Sequence, residues 1–197
     1  MVVDYVKNGE ELDRVLEFVQ NVLSGTIGFI ELPHTRDFWM EMVGKKSDLL
    51  LYASDENKII ASAFAFIENN NNATMAHLCV DNNYRNKGIG KELMSEIESR
   101  IKNMGCTSIA LGSLESAEGF YKKMGYSGSL LVQSEKTSID ELLSLNKTYN
   151  VAWTNIYEGK INQICLSLSQ PDRTLQRKYE ETFDECYTQM VFQKILG

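Results

Sequence analysis

The chain has 197 residues, 43% of them hydrophobic and 24% charged, with only two prolines. That composition suits a soluble globular protein with a sizeable core and argues against long disorder. A formal net charge of −7 argues against nonspecific nucleic-acid binding, which needs a basic face to neutralise phosphates.

The opening Met1-Val2-Val3-Asp4-Tyr5 lacks the basic region and apolar run of a signal peptide. The most apolar stretch, 59–67, is too short to span a bilayer. The expected setting is cytoplasmic, with neither membrane nor nucleic acid as partner. Cys79, Cys106, Cys165 and Cys186 are scattered and the chain has two histidines. No metal site is expected, and each cysteine reads as a small buried hydrophobe.

Residues 2–6 read as a short strand. Asn8 then caps a helix, with Glu11 three residues on reaching back. Leu12, Val15, Leu16, Val19, Val22 and Leu23 mark its apolar face, and Gly25 and Gly28 end it. Phe38, Trp39, Met40 and Met42 suggest a second short helix after Pro33. Strands are expected at 48–53 and 59–67, joined by a turn at 55–58. The asparagines from Asn69 to Asn72 read as a hairpin tip, followed by a strand over 73–80.

Ile89, Leu93, Ile97 and Ile101 recur every four residues, which predicts an amphipathic helix over 89–104. A strand at 108–111, a helix at 115–124 stopped by Gly125, and a strand from Tyr126 follow. This order predicts an α+β fold, with a mixed, mostly antiparallel central sheet flanked by helices. Residues 132–197 read as a small C-terminal α/β extension to a domain spanning 1–131. Within it, Ser138-Ile139-Asp140-Glu141 forms a capping box and strands at 151–157 and 160–168 meet at Glu158-Gly159. A helix carries Leu175, Tyr179 and Phe183, and 186–195 alternates as a last strand. Trp153, Tyr157, Tyr179, Phe183, Tyr187 and Phe192 are expected to pack against the first domain or to form a homodimer surface.

The chemistry is concentrated in one segment. After a strand ending Leu78-Cys79-Val80, a loop carries Arg85-Asn86-Lys87-Gly88-Ile89-Gly90-Lys91 into an amphipathic helix. The first turn of a helix leaves backbone N–H groups unpaired at the positive end of its dipole, so such a site holds a phosphate. Gly88 and Gly90 let the backbone approach an anion, and Arg85, Lys87 and Lys91 add charge. A dinucleotide fingerprint would need glycine where Leu93 stands. A Walker A loop would need glycine at Arg85 and a hydroxyl residue at Glu92.

The remaining pattern, R-x-x-G-x-G after a strand, resembles the GNAT N-acetyltransferase superfamily. A second segment, Ala117-Glu118-Gly119-Phe120-Tyr121-Lys122-Lys123-Met124-Gly125-Tyr126, looks like the family's A-x-x-F-Y-x-x-x-G-F/Y signature. The resemblance covers roughly residues 1–131. It implies transfer of an acetyl group from acetyl-CoA, as cosubstrate, to a primary amine of a small molecule or peptide.

By the same resemblance, Arg85 to Lys91 would cradle the CoA pyrophosphate. Leu78, Cys79 and Val80 would bond the pantetheine arm as an added strand, and a backbone N–H there would polarise the thioester carbonyl. Tyr121 would act as general acid toward the departing thiolate. One departure is Leu114, where the family often has asparagine; Ser113 and Ser116 stand nearby. For the general base, His77, Glu68 and Glu115 stay open, as does a purely structural His77. Simple alternation places His77 with Cys79 and opposite Thr74, Ala76, Leu78 and Val80. The segment 29–42, with His34, Arg36, Asp37, Phe38 and Trp39, falls where the family forms part of its acceptor pocket; Phe38 and Trp39 also fit as core residues. The competing reading is a catalytically silent acyl-CoA-binding or protein-interaction module on the same fold.

Overall fold

The computed structural model describes residues 1–24, 34–68 and 71–197. Gly25, Gly28, Pro33 and residues 69 and 70 of the asparagine tip lie outside the described residues, as does 29–33 of the expected acceptor segment. The described chain divides into two compact units, Met1–Leu111 with Ile195–Gly197, and Gly112–Lys194.

In the first unit, β1 (Val2–Tyr5) leads into α1 (Gly9–Leu23). Asn8 starts this helix by accepting a hydrogen bond from Glu11 N–H at 3.0 Å, while the Glu11 carboxylate reaches one residue further back, to Lys7 N–H at 2.8 Å. The first bond satisfies an amide that the helix start leaves open, and the second ties down the residue before the cap. Thr35 caps α2 (Arg36–Lys46) in the same way through Phe38 N–H. The strands β2 (Leu50–Asp55), β3 (Lys58–Ile67) and β4 (Asn72–Val80) follow as an antiparallel meander. Glu56 and Asn57, both at positive φ, make the first hairpin turn. Next come α3 (Ile89–Asn103) and β5 (Ser108–Gly112), which runs parallel to β4. The strand order is β1-β2-β3-β4-β5.

Two packed layers cover this sheet. Leu12, Val15 and Val19 of α1 and Trp39 of α2 form one cluster with Phe64 and Cys79. The buried row of α3, Ile89, Leu93, Met94, Ile97 and Ile101, stands apart from that cluster while packing on β2, β3 and β4. Burying a full leucine or isoleucine side chain contributes about 1.5–3 kcal/mol, so this row accounts for the helix being held against the sheet.

The second unit holds α4 (Glu118–Lys123), β6 (Ser127–Ser134), α5 (Ile139–Leu145), β7 (Val151–Tyr157), β8 (Ile161–Ser167), α6 (Arg173–Thr182) and β9 (Cys186–Ile195). Its strands are ordered β9-β6-β8-β7, and the pairs β6–β9, β6–β8 and β7–β8 are antiparallel. The capping box at Ser138 is formed on both sides, with Glu141 N–H donating to Ser138 and Ser138 N–H donating to the Glu141 carboxylate at 2.9 Å. Of the aromatics expected to pack, Tyr179 and Phe192 are buried, whereas Trp153, Tyr157 and Tyr187 are exposed. Among the described residues, no helix is long and apolar enough to cross a membrane.

Candidate active site

The pairing of β4 with β5 stops early. Asn72, Ala73 and Thr74 face Ser108, Ile109 and Ala110, and β4 then continues through Val80 without a further β5 partner in the ladder. Residues 75–80 therefore carry the strand along one side of an opening whose vertex is Thr74. Leu78, Cys79 and Val80 lie on this free run, still paired on their other side to β3 through Ala63, Ser62 and Ala61. An extended strand with an unpaired edge can accept another extended chain through its backbone groups.

At the end of that strand the loop is tied down. Asp81 N–H donates to Ile60 O at 2.8 Å, and the Asp81 carboxylate accepts from Asn83 N–H and pairs with Lys58 at 2.9 Å. Those two contacts, the lysine first, hold Asp81 below the usual carboxylate range. Arg85 folds back to donate from Nε to Val80 O at 3.2 Å. Asn86 (φ 61°) and Gly88 (φ 86°) both take left-handed conformations, a loop type whose successive N–H groups can converge on an anion.

The helix α3 begins with no side-chain cap, and its first internal bond runs from Glu92 N–H to Gly88 O. The amides of Ile89, Gly90 and Lys91 are thus left for an outside acceptor. Lys87 sits over the Tyr84 ring, 4.8 Å from its centroid. The expected donor-site residues, Leu78 to Val80 and Arg85 to Lys91, are contiguous within the first unit. Burial pushes the Cys79 thiol up to about 12, so it is no thiolate nucleophile at neutral pH.

Facing β3, the strand β4 carries a bulge. Phe64 pairs with His77 and Ala65 with Met75, so Ala76 is the extra residue. Directly opposed residues of an antiparallel pair share a face. Thr74, opposite Phe66, therefore lies on the same face as His77 and Cys79, and Ala76 packs against the α1–α2 cluster. This corrects the simple alternation, which placed Thr74 and Ala76 on the other side; an inserted residue reverses parity.

His77 itself is buried. The Ser62 hydroxyl donates to Leu51 O at 3.2 Å, so the 2.9 Å contact between Ser62 Oγ and His77 Nε2 is a bond donated by the imidazole. Its Nδ1 has no hydrogen-bond partner among the described residues, and burial lowers its pKa to about 3. His77 is neutral at working pH and enclosed, which fits the structural role among the readings left open.

Near the vertex, Thr74 Oγ1 donates to the Glu68 carboxylate at 2.8 Å. Beside them is an aromatic group that includes two residues the sequence had singled out and one it had not. His34 stacks on Phe38 at 4.1 Å and makes a T-shaped contact with Phe66 at 4.8 Å, with Phe38 5.5 Å from Phe66. Trp39 is buried behind them and meets Phe64 at 5.2 Å. Burial lowers the His34 pKa, and the Glu68 charge partly offsets it. Arg36 is turned away from this group, bonded through two nitrogens to Asp13 at 2.6 and 2.9 Å. Phe66 escaped the sequence reading because its place beside His34 depends on the hairpin register; its alternation with Phe64 was the available signal.

Tyr121 belongs to the second unit. It is 6% exposed and ringed by Phe120, Phe192 and Tyr126 at 5.2, 5.8 and 5.9 Å. One turn earlier, the buried Glu118 pairs with Arg173 at 2.6 Å, and Arg173 also reaches Glu115 at 3.3 Å. Ser113 is buried and donates to Leu114 O, while Ser116 is exposed.

Residues 16–126 match the model of the Acetyltransferase (GNAT) family. YyaT of Bacillus subtilis (strain 168) is 39% identical over 54 residues, which make up 27% of this chain and 36% of that protein. The chain aligns with about a third of the length of the curated relatives it matches. Its fold is shared with a GNAT-family acetyltransferase from Staphylococcus aureus Mu50, at a TM-score of 0.55 and 15% identity, with all of both chains covered. It is also shared with N-acetylglutamate synthase from Neisseria gonorrhoeae, complexed with coenzyme A and N-acetyl-glutamate. There the TM-score is 0.57 at 12% identity, covering all of this chain and 36% of that one.

Proposed function

Because the chain belongs to the GNAT acetyltransferase family, we propose that it transfers an acetyl group from acetyl-CoA to a primary amine. The observation that carries this reading is the run of β4 beyond its β5 ladder into the uncapped start of α3. An unpaired strand edge suits the pantetheine arm, and free helix-start amides flanked by Arg85, Lys87 and Lys91 suit the pyrophosphate. The Neisseria synthase of similar fold is itself a coenzyme A complex.

In this reading the amine nitrogen attacks the thioester carbonyl, whose oxygen is polarised by a backbone N–H of Leu78 to Val80. Collapse of the tetrahedral intermediate breaks the carbon–sulfur bond, and Tyr121 donates its phenolic proton to the departing thiolate. Tyr121 is assigned by its place in the Ala117–Tyr126 signature.

An amine arrives mostly as an ammonium and must lose a proton before attack. His77 is unsuited to take it, and Glu115 is paired with Arg173. Glu68, at the vertex and bonded to Thr74, is the base we assign. The same carboxylate, close enough to His34 to act on its charge, with the His34, Phe38 and Phe66 rings grouped there, favours a cationic acceptor with an apolar body, since a cation gains about 0.5–2 kcal/mol over an aromatic face.

Titration calorimetry with acetyl-CoA and with free CoA tests the donor half. Binding to the wild type that is lost in Gly90→Trp, where the indole blocks the helix start, supports the proposal. No binding to the folded wild type refutes it. Release of free thiol with a panel of amines, run beside Tyr121→Phe, then tests the transfer.

A further inference from the structure

The strand β7 ends the sheet of the second unit, pairing with β8 on one side and with no strand on the other among the described residues. All seven of its residues are exposed, with Val151, Trp153, Ile156 and Tyr157 at 43, 44, 55 and 49%. Open edges are normally blunted by charge, proline, or a covering loop or helix. The sequence Val-Ala-Trp-Thr-Asn-Ile-Tyr contains no charged residue and no proline. Aromatic and β-branched residues of this kind are the best strand formers.

The order of those residues points to the partner. A register shift between Val151 and Trp153 sets off a regular run from Trp153, opposite Cys165, to Tyr157, opposite Ile161. That run reads aromatic, β-branched, Asn155, β-branched, aromatic, and so has the same chemistry in both directions. We propose that β7 is a homodimer edge: two copies of this chain pair antiparallel about a twofold axis at Asn155. Trp153 of each copy then lies opposite Tyr157 of the other, Thr154 opposite Ile156, and Asn155 opposite itself.

Aromatic pairs directly across two strands stabilise a ladder by about 0.2–1 kcal/mol each, and the symmetry makes two of them. Each copy carries a net charge of −7, so an uncharged strip is where two copies approach with least repulsion. A five-residue edge contact buries less than the roughly 800 Å² per partner of a standard interface. The dimer is accordingly reversible and depends on concentration. This inference does not depend on the acyltransferase reading.

Sedimentation velocity of the full chain across the micromolar range tests it, with circular dichroism to confirm folding. Trp153→Glu alone and Tyr157→Lys alone are each expected to raise the dimer dissociation constant by ~tenfold or more, which corresponds to ~1.4 kcal/mol. The double variant is expected to recover much of that loss. Positions 153 and 157 are four residues apart along one strand, about 13 Å, so the introduced carboxylate and ammonium meet only between copies. A wild type that stays monomeric throughout overturns the proposal. So does a dimer indifferent to both single variants, and so does a double variant no better than the singles.

Discussion

Acid should loosen the first unit through one buried side chain. His77 has a pKa of about 3 in the folded protein, lowered by burial, against a reference value near 6.5 when unfolded. Between those values the unfolded chain holds a proton that the native imidazole refuses, so stability is full above pH ~6.5 and declines as the pH falls toward ~3. At pH 5 the two pKa values correspond to a loss of about 2 kcal/mol relative to pH 7.5. Urea unfolding at the two pH values, followed by fluorescence of the buried Trp39 of the same unit, measures it. His77→Leu provides the subtraction: it removes the titrating ring, and Ser62 keeps its bond to Leu51. Other groups, His34 among them, titrate in both proteins and cancel in the difference. The variant should lose about 2 kcal/mol less than wild type on acidification, and equal losses in the two proteins would refute the buried neutral imidazole.

Three further outcomes are expected. Gly88→Ala should cost about 1–2 kcal/mol of stability, because Gly88 sits at φ 86° with open space around an added methyl group, so the penalty is conformational; an unchanged urea midpoint refutes this. Ser138→Ala removes the hydroxyl that accepts from Glu141 N–H, one half of a formed capping box, and should cost about 1 kcal/mol in the same assay, which a silent substitution contradicts. Glu68→Gln should lower kcat/KM for a cationic amine by ~10²-fold or more while calorimetric binding of acetyl-CoA is retained; retained turnover would return the base to the unassigned.

The elements that could be read in the sequence are those written into local spacing. Ile89, Leu93, Ile97 and Ile101 define the buried row of α3, and Ser138 with Glu141 marks the start of α5, because both patterns act within a few residues. The proposed donor loop was visible for the same reason, as a glycine-bearing turn between a strand and a helix. Parity along β4 was hidden, because the bulge at Ala76 leaves the sequence alternation superficially intact while reversing which side chains share a face. The company of Phe66 and Thr74 required the register of a hairpin. The exposure of Trp153 and Tyr157 ran against composition, since large aromatics are usually counted toward a core.

The ring of Phe192 against Tyr121, and the guanidinium of Arg173 on Glu118, give the proposed general acid a history as well as a place. Its strand neighbour β6 lies between β8 and β9, both of which leave the ribosome after it. At about 5–20 residues per second, the 64 residues from 132 to 195 take roughly 3–13 s to make. As that interval opens, residues 85–91 are already made, while Arg173 and Phe192, which complete the surroundings of Glu118 and Tyr121, are not. The enclosure of Tyr121 is therefore among the last features of the second unit to be completed.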